Sequence, residues 1–219
     1  MKLMTRTFSL GLCLLLCGAA SAQQADNPHS LSLAAVRAGN LAKLQNLIEQ
    51  QGANMNSRNR PGESLLMMAI KAGNTEIAEY LLNKGANVNV ANTSKVTPLM
   101  AAAYNGDLNL CKRLLEKEAD INAVDQLKKT AIVYAAGMGK TDVVALLLER
   151  GVDVNARYPN QLTILMWAAG AGYVNTVALL MQKGADAGLL DNRGKTALQI
   201  ADEAGHLDVK NFLTEIAAK

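Results

Sequence analysis

A chain of 219 residues suffices for one medium domain or one short repeat array. Half of its residues are apolar but only 4% are aromatic, which argues against a deep globular core and favours thin layers of small Ala- and Leu-rich helices. The formal charge is +3, and two of the 22 basic residues, Lys2 and Arg6, stand at the extreme N-terminus; the remainder is nearly neutral against 19 acidic residues, which disfavours nucleic acid as a partner because phosphate binding needs a clustered basic surface.

The chain opens with a short basic stretch, Met1 to Arg6, followed by an apolar run from Phe8 to Ala20 centred on Leu10, Leu12, Leu14, Leu15 and Leu16. Ala20-Ser21-Ala22 then supplies the small residues that a signal peptidase requires, and Gln23-Gln24 begins a polar stretch. The pattern predicts a secretory signal peptide over 1–22, cleaved after Ala22, and a polar leader over 23–29. The apolar run falls short of the roughly 20 residues that cross a bilayer, so no stable membrane insertion is expected. Cys17 closes an apolar stretch as a lipidated cysteine would, but Leu16 precedes it where a lipobox carries Gly or Ala, which disfavours lipid anchoring. Cleavage after Ala22 removes Cys13 and Cys17 and leaves Cys111 as the one thiol. A single cysteine forms no internal disulfide, so stability must come from packing, which fits an oxidising compartment.

The rest of the chain repeats. Gly39, Gly73, Gly106, Gly139, Gly172 and Gly205 follow Ala-rich segments at spacings of 34, then 33 throughout. Gly52, Gly85, Glu118, Gly151 and Gly184 share the 33-residue period, as do Ser64, Thr97, Thr130, Thr163 and Thr196. Three registers with one period divide 30–219 into about six units: 30–58, 59–91, 92–124, 125–157, 158–190 and 191–219. Within a unit, Thr97 is a candidate N-cap with Pro98 at the first helical position, where a missing N–H costs nothing. Leu99 and Ala101-Ala102-Ala103 predict a short helix that Gly106 ends. Leu108, Cys111, Leu114 and Leu115 predict an apolar stripe on a second helix, and Ala119-Asp120-Ile121-Asn122 an extended loop. Helices this short are marginal alone, so each unit must bury its stripe against the next.

Thr97-Pro98-Leu99-Met100-Ala101-Ala102, Gly85-Ala86-Asn87-Val88-Asn89 and Gly151-Val152-Asp153-Val154-Asn155 resemble the ankyrin consensus, with its 33-residue unit and T-P-L-H-x-A motif. The resemblance implies an all-α solenoid of helix-turn-helix units joined by β-hairpin-like loops. The sequence departs from the family pattern at the motif histidine, replaced by Met67, Met100, Val133, Met166 and Gln199, which implies weaker ties between units.

Nothing in the chain reads as catalytic, cofactor-binding or metal-ligating. His29 lies in the leader, and His206 follows Gly205 where the consensus itself has His. Cys111 stands where other units carry Ala78, Val144 and Val177, so it reads as a small buried hydrophobe. Asp120, Asp153 and Asp186 line up at one position per unit, but Asn54 and Asn87 share it, which points to turn chemistry.

The resemblance places a partner surface on the concave face, formed by loop tips and the exposed ends of the first helices. Its middle units are apolar there: Val96, Tyr104, Leu127, Met138 and Leu162, with Tyr134 and Trp167 one level deeper. Clustered apolar groups on an exposed face mark interaction sites, so these seven residues are the candidate contacts for another protein. Glu63, Lys71, Arg193, Lys195 and Glu203 are expected to form a polar rim. The leader and the resemblance together imply a periplasmic scaffold that inhibits, or protects against, a partner enzyme. The competing uses are stabilising an oxidative-stress enzyme such as a catalase, acting as an exported effector on a host protein, and homo-oligomerisation.

Overall fold

The computed structural model describes residues 27–218, so the expected signal peptide, with Cys13 and Cys17, lies outside the described residues. Twelve α-helices follow in six pairs: α1 Pro28–Arg37 and α2 Leu41–Glu49, α3 Leu65–Lys71 and α4 Thr75–Asn83, α5 Pro98–Asn105 and α6 Leu108–Glu116, α7 Ala131–Gly137 and α8 Thr141–Glu149, α9 Ile164–Gly170 and α10 Val174–Gln182, α11 Ala197–Glu203 and α12 Leu207–Ala217. The first helix starts at Pro28, capped by the Asn27 side chain, so the last two residues of the expected leader are helical.

The first helices of successive pairs pack closely on one another, and the second helices form a looser layer. The reason is side-chain size. Pro98 to Ala103 are all buried in α5, and their small alanines let α3 and α7 approach. The second helices bury a single stripe, which in α6 is Leu110, Cys111 and Leu114. Leu108 and Leu115, expected on that stripe, flank it half-buried, because the buried arc is centred about a quarter turn from them.

Local chemistry sets the helix ends. Ser64, Thr97, Thr163 and Thr196 each accept the N–H three residues on, whereas Thr130 caps α7 without a side-chain bond. Asn40, Asn74 and Asp107 cap the second helices of the first three pairs in the same way. Lys140, Tyr173 and His206 hold that position later and lean onto the preceding unit instead. A methyl on Gly139 would stand 2.4 Å from Tyr173 Cδ1, and one on Gly172 2.6 Å from His206 Nδ1. Both glycines also have φ in the left-handed region (64° and 80°), so only Gly fits there.

The loops are tight turns; the one strand-like pairing among the described residues is an isolated antiparallel bridge, Arg58 to Ser64. Asn59, Asn92, Asp125 and Asp191 organise four tips by accepting backbone N–H groups two to four residues on. The fifth unit has Tyr158 there, and its tip folds instead as a 3₁₀ turn, Pro159–Gln161. Tips are joined by a backbone ladder: Thr93 N–H to Pro61 O, Gln126 N–H to Ser94 O and Asn192 N–H to Asn160 O, at 2.9–3.0 Å. Pro159 has no N–H to give Leu127, so the ladder is interrupted between the fourth and fifth units.

The missing motif histidines are partly replaced. Met100 and Met166 sulfurs accept the N–H of Thr97 and Thr163 at 3.5 and 3.4 Å, and Gln199 Oε1 that of Thr196 at 2.9 Å. Ties between units run through other groups. Asn89 Oδ1 accepts the Asp120 N–H at 2.9 Å while its Nδ2 donates to the Glu118 carbonyl, and Asn155 repeats the pattern with Asp186 and Gly184. Arg58 donates to the Ala91 carbonyl, Arg157 to that of Leu190, and a His206 ring nitrogen lies 3.1 Å from the Gly170 carbonyl.

Candidate functional site

On the face made by the first helices and loop tips, the structure has a cleft of about 440 Å³. Of the seven candidate contacts, Tyr104, Tyr134, Met138, Leu162 and Trp167 line it. Val96 and Leu127 do not. Val96 is half-buried against the core, and Leu127 stands on its tip 65% exposed. Leu162 also packs on the core, so it is part wall and part structure.

Two positions that line the cleft carry no side chain. Gly137 and Gly170 occupy the last helical position of α7 and α9, where the other units carry Lys71, Tyr104 and Glu203. Neither glycine has φ in the left-handed region, so the backbone does not require them. Inside a helix Gly costs about 1 kcal/mol relative to Ala. A methyl at Gly137 would meet only Trp167 Cε3, at 3.9 Å. Gly137 therefore leaves room over Trp167, whereas a methyl at Gly170 would stand 3.0 Å from Ile200 Cγ2, so that glycine admits the Ile200 side chain. The signal was present in the sequence as glycines outside the turn registers, but its meaning depends on what lies across from them.

The walls are fixed by a chain of contacts. Tyr104, 48% exposed, meets Tyr134 edge-on, with ring centroids 6.3 Å apart and planes at 74°. Tyr134 donates its hydroxyl to Asp125 Oδ2 at 2.6 Å. Burial, and then the Asp125 carboxylate, push the Tyr134 phenol pKa well above its ordinary value. Asp125 is itself 3% exposed, and its Oδ1 accepts the Leu127 and Lys129 N–H groups at 2.8 Å. Lys129 lays its ammonium over Trp167, 4.7 Å from the ring centroid, and 5.9 Å from that of Tyr134. Such cation–π contacts contribute about 0.5–2 kcal/mol and hold the ammonium at the cleft. The Trp167 indole N–H is buried with no hydrogen-bond partner among the described residues.

Around the cleft, the polar positions pair among themselves. Glu63 bonds Lys71 at one end; at the other, Lys195 and Arg193 contact Glu203, and Arg193 also reaches Asp191 at 2.8 Å. The periodic acids have turn roles: Asp120, Asp153 and Asp186 accept the N–H two residues on at 2.8–2.9 Å, as Asn54 and Asn87 do. No group of three or more His, Cys, Asp or Glu among the described residues is placed to hold a metal ion. Cys111 is buried, and burial, with a smaller contribution from the Asp107 carboxylate, pushes its thiol up to about 12. No helix among the described residues is long and apolar enough to cross a membrane.

A family model described as ankyrin repeats (3 copies) matches residues 31–125, 85–158 and 132–219. No curated protein matches the chain.

Proposed function

We propose, for a chain that belongs to the ankyrin-repeat family, that its work is to hold another protein against the face carrying the aromatic cleft. Ankyrin repeats generally mediate protein–protein interaction. Gly137 carries the reading for this face: a helix-weakening residue stands where neither the backbone nor a close neighbour needs it, and it opens an apolar recess over Trp167. A recess floored by Trp167 and walled by Tyr104, Tyr134 and Met138 has the composition of an interface anchor site. The exposed Leu127 beside it extends the apolar area.

The finer reading is a periplasmic binding protein that inhibits, or protects against, a partner enzyme. It rests on the basic start, apolar run and Ala20-Ser21-Ala22 of the N-terminus. A cavity of this kind needs no chemistry of its own to block an active site; it needs only to seat a protruding side chain.

The test is capture of a partner from periplasmic extract, comparing the native protein with a Leu127→Asp, Met138→Lys variant. These two positions are chosen because neither belongs to the packed core, unlike Leu162. The expected result is one protein retained by the native chain and lost by the variant at unchanged melting temperature. Retention by both would remove this face as the working surface. Cell fractionation with N-terminal sequencing tests the compartment, and a mature chain starting at Gln23 in the periplasmic fraction is the expected outcome.

A further inference from the structure

We infer that the partner segment seated in the cleft is acidic and extended, presenting one large apolar side chain flanked by carboxylates. The inference rests on the reading that this face binds a protein, and adds the chemistry of what it binds.

Two charged side chains line the cleft, Lys129 and Arg193; Arg193 is paired with Asp191 and Glu203, which leaves the Lys129 ammonium as the cation without a counter-ion there. The nearby acids are already engaged. Asp125 and Asp191 are buried and bonded within their turns, and Glu203 is paired with Lys195 and Arg193. Positive charge continues beyond the cleft along the tips. Lys95 and Lys128 hold the same turn position in the third and fourth units, both exposed, with φ of 62° and 60°. The second and sixth units carry Gly62 and Gly194 there, the residue that the left-handed region favours, and the fifth carries the uncharged Gln161, with φ of 60°. A lysine in that conformation costs about 1 kcal/mol or more, so here too the units beside the cleft carry the less stable residue. Among the described residues Lys95, Lys128 and Lys129 form no ion pair within 4 Å.

Two features distinguish an extended segment from a small anion. The unpaired ammoniums reach past the cleft, where a small ligand would not touch them. The carbonyl of Leu127, which Pro159 deprives of the N–H that its counterparts receive, has no donor among the described residues and suits a backbone N–H of an extended chain. The apolar volume, within the usual few hundred Å³ of a ligand pocket, seats one Leu, Met or Phe side chain.

Trp167 is the one tryptophan of the chain, and its fluorescence reports occupancy of the cleft. The probes are short blocked peptides: one Phe among Asp and Glu residues, the same peptide with Asn and Gln, and the acidic peptide with Phe replaced by Ala. The Phe-containing acidic peptide should shift Trp167 emission saturably. Its affinity should fall about tenfold or more as salt rises from about 50 to about 300 mM, because screening weakens exposed charge pairs. The Lys95→Gly, Lys128→Gly variant should raise the melting temperature, since Gly fits both turns, while weakening the acidic peptide about tenfold. Equal binding of the neutral or Ala peptide, or no binding by any of the three, overturns the inference. The two readings fail separately. If the Leu127, Met138 variant loses its captured protein while the lysine variant keeps it unchanged, the face binds a protein and the acidic segment is wrong. If both variants keep it, the face itself is wrong.

Discussion

The Tyr134 hydroxyl donates to Asp125 Oδ2 at 2.6 Å, which ties a wall of the cleft to the tip that presents Leu127 and Lys129. One carboxylate thus shapes both the turn, through Oδ1, and the aromatic wall, through Oδ2. Fixing a ring and a tip to one buried group pre-organises the face, so less ordering is needed when a partner docks.

Replacing Tyr134 by Phe should destabilise the protein by about 1–3 kcal/mol, because a hydrogen bond to a buried carboxylate is lost. The sign of the pH dependence follows from the phenol pKa being raised on folding above its unfolded value near 10. The stabilisation is complete below about pH 10 and disappears as pH rises through the higher folded value. In a spectrophotometric alkaline titration, Tyr134→Phe should remove one phenol from the latest-ionising phase. An unchanged titration would mean that the Asp125 bond does not form in solution.

Gly137 and Gly139, two residues apart, should respond oppositely to alanine. At Gly137 the helix gains and the methyl fits beside Trp167, so stability should rise by about 0.5–1 kcal/mol. At Gly139 the φ of 64° and the Tyr173 ring both reject a methyl, and a loss of more than about 1 kcal/mol is expected. Urea melts of the two variants decide it. A larger side chain at Gly137, such as Leu, should leave the fold intact and fill the cleft, abolishing capture of the partner.

Glu118 is the exception in a series where Gly52, Gly85, Gly151 and Gly184 all have positive φ; its own φ is 63°. Glu118→Gly should stabilise the protein by roughly 0.5–1 kcal/mol, net of the greater freedom of Gly in the unfolded chain. The turn keeps its link to the previous unit, since Asn89 donates to the backbone carbonyl at this position. A lower denaturation midpoint would show that the Glu side chain has a stabilising contact that the geometry does not reveal.

Cys111 should resist thiol reagents in the native state. Its raised thiol pKa, about 12, leaves almost no thiolate at neutral pH, and the sulfur is enclosed. Labelling should follow the global unfolding rate and accelerate in denaturant. Rapid labelling of the folded protein would place the thiol at the surface.

Most helix ends were readable residue by residue, Thr130 being the member of its register that makes no side-chain cap bond. Ser64, Thr97, Thr163 and Thr196 cap their helices through bonds to a backbone only three residues away, and Gly106 turns left-handed because it has no Cβ to clash there. Short-range sterics and hydrogen bonding need no knowledge of the rest of the chain, and a period of 33 states that one such unit is used again. The buried stripe of α6 was read one helical step off-centre, because which arc is buried depends on what packs on it.

The sequence by itself therefore determined the repeat, the helical class and the apolar bias of the middle units, since all three follow from local rules applied at a constant interval. Only the tertiary structure decided that Gly137 opens a recess while Ile200 fills the place beside Gly170, that Lys129 crosses to lie over Trp167 in the next unit, and that Tyr134 reaches back to Asp125. A missing side chain is a space only when its neighbours fail to fill it. Those neighbours are supplied here by the adjacent units, at separations that no local rule connects.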